Sequence, residues 1–103
     1  MRAVAELRAA PNEEKAARLP ALAEAGCTAP DLCELRDRCL AAYRQHVAAL
    51  AEQKALASSL AAGTPVPDAK TRLDGVERAL TEARDGAVDC SRRELVVRTR
   101  YRP

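Results

Sequence analysis

Cys39 and Cys90 lie at equal sequence distances from the one strong turn signal in the chain, a Gly-Thr-Pro-Val-Pro segment at residues 63–67. Glycine and proline in such a cluster end helices and favour a tight turn. If two antiparallel helices meet at this turn, the two sulfur atoms come to the same height. The sequence therefore predicts a helical hairpin that is cross-linked by a disulfide bond.

The composition indicates a small all-α protein. The chain has 103 residues, contains no Trp or Phe and only two Tyr, and its apolar fraction of 48% comes largely from Ala and Leu. Ala, Leu, Arg and Glu favour helix over strand. Because alanine buries little apolar area, an alanine-rich core gains from a cross-link or a partner. We expect residues 1–103 to form a single helical domain.

Two long helices are predicted at about residues 29–62 and 67–91, packed as an antiparallel, coiled-coil-like hairpin. Apolar and small residues recur along both at alternating spacings of four and three, as such packing requires. The predicted buried stripes are Cys39, Tyr43, His46, Leu50, Gln53, Ala57 and Leu60 on the first helix, and Ala69, Leu73, Val76, Leu80, Ala83, Ala87 and Cys90 on the second.

Gly86 is the weak point of the second predicted helix. An Asp-Gly pair at residues 85–86 is an alternative helix end, although the stripe that continues to Cys90 favours a helix that runs on. Gly86 and Tyr43 are equidistant from the turn, so the glycine is expected to leave room for that ring.

The two ends of the chain are predicted to differ from the hairpin. A shorter helix at about residues 13–25 is expected to pack on it, with Asn12 as its N-cap, a kink or break at Pro20 and a stop at Gly26. Residues 1–11 are predicted to be an N-terminal arm in which residues 2–10 form a short helix that Pro11 ends. Residues 92–103 are basic and partly β-branched, so we expect an extended tail, with a frayed helix end or a strand added to a partner as alternatives.

Four cysteines allow three pairings, and the predicted hairpin separates them. Cys39 and Cys90 face each other across the hairpin, whereas the position opposite Cys33 is a valine. Cys27 lies in the linker just before the long helix and can fold back on Cys33. The sequence therefore predicts the disulfides Cys27–Cys33 and Cys39–Cys90. The alternative is four reduced, buried thiols in a cytosolic protein.

No catalytic residue, cofactor site or metal site is predicted. The chain lacks CxxC, HExxH and Gly-rich phosphate-loop patterns. Cys39 and His46 share a helix face, but seven residues of helix separate them by about 10 Å, too far for one tetrahedral zinc ion. A helical metal- or small-ligand-binding protein that uses Cys and His is therefore an alternative and not the main hypothesis.

The predicted disulfides indicate an exported protein, periplasmic or secreted, with a cytoplasmic location as the alternative. No stretch is long and apolar enough to span a membrane, and the first residues do not resemble a signal peptide. Arginine greatly outnumbers lysine, which is typical of GC-rich bacterial sources.

The predicted function is non-catalytic: a structural or adaptor protein that mediates protein–protein association. Val47 and Leu56 are expected to remain outside the two-helix stripe and to contact a second copy, forming a homodimer, or a different protein. The tail gives a further alternative, a binder of an anionic surface or nucleic acid through Arg98, Arg100, Tyr101 and Arg102.

Overall fold

A computed structural model describes residues 2–100, which form four α-helices and an elongated body of 58 × 21 × 18 Å. The helices are α1 (Arg2–Ala9), α2 (Asn12–Ala23), α3 (Pro30–Ala61) and α4 (Ala69–Arg100). α3 and α4 pack against each other along the hairpin, and α2 packs on α3 with α1 beside it. The predicted all-α fold, with a disulfide-linked hairpin of two long helices, is confirmed.

The α3–α4 interface follows a seven-residue repeat on both helices. Residues that recur every seven positions are buried or half-buried along each: Leu35, Ala42, Ala49 and Leu56 on α3, and Val76, Ala83, Cys90 and Val97 on α4. Such a repeat keeps one face of each helix against the other over several turns. Alanine and cysteine at the middle positions keep the buried side chains small at the centre of the hairpin.

The buried stripe of α3 differs from the predicted one toward the turn. Leu56 is 1% exposed and lies in a core cluster with Ala49, Val76 and Leu80. Three residues of the predicted stripe are instead exposed: Gln53, Ala57 and Leu60. The buried stripe follows the seven-residue repeat through Ala42, Ala49 and Leu56. Each of these positions lies one residue before a predicted one. The expectation that Leu56 stays outside the hairpin is therefore wrong.

The turn between the long helices is built around Gly63. Its φ of 71° lies in the left-handed region, which glycine adopts without a steric penalty. The Thr64 backbone N–H donates to the Ser59 carbonyl at 2.9 Å and so closes the end of α3. α3 ends within one residue of the predicted boundary, whereas α4 begins at Ala69, two residues later than expected.

α4 runs through Gly86 and continues to Arg100. The predicted extended tail from residue 92 is therefore wrong as far as residue 100, and residues 101–103 lie outside the described chain. The buried face of the helix continues beyond Cys90 through Glu94 and Val97, so packing overrides the β-branched composition of this segment. A 2.6 Å ion pair between Arg100 and Asp31 joins the end of α4 to the start of α3.

The N-terminal helices differ from the prediction in detail. Residues 2–9 are helical, ending within one residue of the predicted short helix, and α2 begins at Asn12, so Pro11 and not Asn12 occupies the N-cap position. Pro20 lies inside α2, which is not split and ends at Ala23 before Gly26 is reached. Both helices cover the hairpin end that is remote from the turn.

The hairpin end that α1 and α2 cover contains the larger core cluster. Its buried residues come from all four helices: Val4, Leu7, Leu22, Leu35, Cys39, Leu40, Tyr43 and Cys90. The half of the hairpin nearer the turn has only the two long helices, and its smaller cluster comprises Ala49, Leu56, Val76 and Leu80. The molecule is thus a four-helix body with a two-helix extension.

The two glycines of α4 give a matched test of this packing. A Cβ atom at Gly75 would meet nothing within 4 Å, whereas one at Gly86 would lie 3.0 Å from the Ala42 Cβ. Gly75→Ala should therefore raise the free energy of unfolding by about 1 kcal/mol through helix propensity. Gly86→Ala should show no gain, or a loss of about 1 kcal/mol, because the helices must shift apart.

Urea unfolding of both variants measures the difference, provided that the m-value is unchanged. An equal gain for both would contradict the close approach of α4 to α3 at Gly86. The space at this glycine is occupied by Ala42 and not, as the sequence suggested, by the ring of Tyr43.

Candidate functional site

The structure contains two disulfide bonds, Cys27–Cys33 and Cys39–Cys90, with Cα–Cα distances of 5.3 and 5.1 Å. These are the pairs that the hairpin geometry predicts. Cys39 and Cys90 are fully buried between α3 and α4, whereas Cys27 and Cys33 are half-buried at the start of α3. All four thiols are consumed, so none is a metal ligand in this state.

Within residues 2–100, no group of three or more His, Cys, Asp or Glu side chains is placed to hold a metal ion. Across the same residues, no helix has the length and apolar character that a membrane span requires. The two disulfides are typical of proteins from oxidising compartments.

The residues predicted to bind a partner do not form one surface. Leu56 is in the core, and Val47 is half-buried. Arg98 and Arg100 are helical and engaged in ion pairs with Glu94 and Asp31. Tyr101 and Arg102 lie outside the described residues. The structure therefore places candidate binding residues elsewhere, on the four-helix body.

Glu94 connects the N-terminal helix to the end of the hairpin. Its carboxylate is 3% exposed and accepts a hydrogen bond from the Arg8 guanidinium of α1. Arg98 lies 2.8 Å from the other carboxylate oxygen, in an ion-pair contact that is not aligned as a hydrogen bond. The bond to Glu94 holds the pKa of Arg8 above its usual value. Two cations thus compensate the buried carboxylate.

Lys15 closes the C-terminal end of α1. Its ammonium donates to the carbonyls of Leu7, Arg8 and Ala10 at 3.3, 3.3 and 2.9 Å. The side chain is only 9% exposed, and a cation at a helix C-terminus is favoured by the unpaired carbonyls there. The ammonium also lies 5.8 Å from the centre of the Tyr43 ring, within cation–π distance.

Beside Lys15 lies a small cleft of about 180 Å³, which we call the cationic notch. Basic or titratable side chains dominate it, and no carboxylate lines it; the lining residues are Arg8, Lys15, Tyr43, His46, Ala83, Arg84 and Ala87. Burial lowers the pKa of His46, and the positive charges of Lys15 and Arg84 lower it further. The imidazole is therefore held toward its neutral form.

A second, shallower cleft adjoins the notch and shares Arg8, Tyr43 and Ala87 with it. Its volume is about 490 Å³, and its outer wall is an exposed face of α4. We call this the α4 face; it comprises Arg84, Val88, Ser91, Arg92 and Leu95. Val88 and Leu95 are 51% and 63% exposed, which is unusual for large apolar side chains so close together.

Sequence reasoning missed both clefts. Lys15 and Glu94 are charged residues at buried positions, and charge normally predicts exposure. One signal was present: Glu94 follows Cys90 by four residues and so continues the buried face of α4. The α4 face was hidden by the prediction that the helix ends near residue 91.

Comparison with known protein families, with characterised proteins and with solved structures found no match to this chain.

The Glu94 contacts predict a large effect of a small substitution. Glu94→Gln should lower the free energy of unfolding by about 1–3 kcal/mol, because it leaves Arg8 and Arg98 without their carboxylate. Glu6→Gln is the control, since the pair of Glu6 with Arg2 is exposed and should contribute about 0.5 kcal/mol or less. Urea unfolding compares them, and equal losses would contradict the role of Glu94 in joining α1 to α4.

The two disulfides should contribute unequally. They close sequence separations of 51 and 6 residues, and the chain-entropy model assigns them about 4 and about 2 kcal/mol respectively. Replacing Cys39 and Cys90 together by alanine should therefore be the more destabilising of the two double substitutions. Thermal and urea unfolding of the two variants measure this. A larger loss for the Cys27 and Cys33 double variant would contradict the ranking.

Proposed function

We propose that this chain is a non-catalytic adaptor whose α4 face docks an amphipathic helix with an acidic border from another protein. The observation that carries the proposal is the exposed pair Val88 and Leu95 in a cleft that has arginines and no carboxylate. Helices commonly recognise partner helices through apolar residues spaced seven apart on one face.

The charge around Val88 and Leu95 favours an acidic partner over a second copy of this chain. Arg84 and Arg92 flank Val88 at spacings of four residues, and neither has an ion pair with any described residue. In a symmetric dimer built on this surface, these arginines would approach their own copies, and like charges would repel. A partner with Glu or Asp beside its apolar residues meets the same surface without that repulsion.

The arginines at the end of α4 are less suited to an anionic surface than the sequence suggested. Arg93, Arg98 and Arg100 each have a carboxylate partner within the protein. Much of the positive charge of this segment is therefore compensated within the protein, which favours protein docking over nucleic-acid or membrane-surface binding. The disulfides support export to an oxidising compartment, in the periplasm or outside the cell. The excess of arginine over lysine supports a bacterial source.

Two exposed leucines give a matched test of the docking proposal. Leu95 lies on the α4 face, whereas Leu60, 50% exposed, lies at the far end of the hairpin. Leu95→Ser should weaken binding of an acidic amphipathic peptide by about 5- to 30-fold, equivalent to about 1–2 kcal/mol. Leu60→Ser should leave binding unchanged, and both should alter stability by about 0.5 kcal/mol or less.

The probe is a synthetic helical peptide with leucines at positions i, i+3, i+4 and i+7 and glutamates beside them. A second peptide carries lysines in place of the glutamates. NMR titration of the labelled protein should show saturable shifts around Ser91 and Leu95 with the acidic peptide alone. Equal binding of both peptides, or equal losses for the two serine variants, would overturn the proposal.

A further inference from the structure

We propose that the cationic notch is a binding site for a small tetrahedral oxyanion, such as sulfate or a phosphate group, held by Arg84 and His46. This site shares Arg84 with the α4 face, but the binding of a small anion does not depend on the docking of a helix there. Three features of the notch support this site: its uncompensated charges, its free donors and the size of the cleft.

The notch carries positive charge that no carboxylate among its lining residues offsets. Arg8 is balanced by Glu94, but Lys15 and Arg84 have no ion pair with a described residue. Lys15 is nevertheless buried, with its ammonium fixed by three carbonyls of α1. It therefore supplies a fixed positive charge, in a position where the fold has already met the cost of removing it from water.

The donors that face the cleft are Arg84 and His46. Neither side chain donates a hydrogen bond to another described residue, whereas the ammonium of Lys15 already donates to three acceptors. A guanidinium presents two parallel N–H groups that match the oxygen spacing of sulfate or phosphate. A protonated imidazole adds a further donor.

The walls and the size of the cleft favour a small ion. Ala83 and Ala87 lie on the α4 side, and the ring of Tyr43 lies on the α3 side. Apolar walls lower the local dielectric constant and strengthen the attraction between an anion and the fixed charges. The volume of about 180 Å³ is below the range of about 300–1,000 Å³ typical of sites for larger organic ligands.

His46 reports occupancy of this site directly, because it is the only histidine in the chain. The positive charges that lower its pKa are those of Lys15 and Arg84. The other groups that face it are Arg8, whose charge Glu94 balances, and the Tyr43 hydroxyl. A bound dianion opposes the positive charges of Lys15 and Arg84, so it must raise the pKa of His46.

The test is an NMR pH titration of His46 between pH 5 and 8, with sulfate and with matched sodium chloride at equal ionic strength. Sulfate should raise the pKa of His46 by about 0.5–1 unit in a saturable manner. By linkage, sulfate should then bind about 3- to 10-fold more tightly at pH 5 than at pH 8. A shift that does not saturate, or that chloride reproduces, would overturn the site.

Two arginines of α4 provide the variant and its control. Arg84→Gln removes the free guanidinium at the notch, and the side chain is exposed, so folding should be unaffected. Its sulfate-induced shift should fall to less than half of the original. Arg78→Gln makes the same change of charge on an exposed position outside the notch and should retain the full shift. Equal shifts in the two variants would exclude the proposed role of Arg84.

Titration with a phosphate monoester distinguishes a site for a free ion from a site for a phosphoryl head group. Glycerol phosphate is titrated alongside inorganic phosphate at pH 6. Saturable binding of inorganic phosphate with weaker binding of the ester supports a site for a free ion, and comparable binding supports a site for a phosphoryl head group. Absence of saturation by sulfate and by both phosphates would overturn the proposal.

Discussion

The close contact between α3 and α4 is the constraint on which the rest of the structure depends. At its centre the contact is made by alanine, glycine and cysteine, and a methyl group at Gly86 would lie only 3.0 Å from the Ala42 Cβ. Small side chains let the helices approach closely but bury little area per residue. The Cys39–Cys90 bond joins the two helices within the larger core cluster and restricts the unfolded chain.

In the four-helix body, buried contacts attach two short helices to the hairpin. α1 and α2 have eight and twelve residues, lengths at which isolated helices are marginal in water. Their apolar residues join the larger core cluster, and two buried charges complete the attachment. Lys15 of α2 donates hydrogen bonds to carbonyls at the end of α1, and Glu94 of α4 accepts one from Arg8 of α1. Because both charged groups hydrogen-bond to α1, they specify where α1 lies.

The parts of this fold that follow local rules could be predicted from the sequence. The turn at Gly63, the helical bias of Ala, Leu, Arg and Glu, and the matched cysteines together give the hairpin. The parts that depend on tertiary context could not. The buried face of α3 includes Leu56, contrary to the prediction, because the buried residues follow a seven-residue repeat. The Leu95-Val96-Val97 segment is helical because Glu94 and Val97 continue the buried face, although β-branched residues locally favour strand. The cationic notch could not be predicted, since Lys15 reaches it only when α1, α2 and α3 have assembled.

The position of the Cys39–Cys90 bond has a mechanical consequence. Residues 39–90 form a covalently closed loop, so tension applied between the two ends of the chain passes from Cys39 to Cys90 through the sulfur atoms. The two-helix extension reaches about 33 Å beyond the cross-link, at 1.5 Å per helical residue. It carries none of this tension. Pulling on the ends can peel α1 and α2 from the body, but it cannot unzip the hairpin toward its turn while this bond is intact.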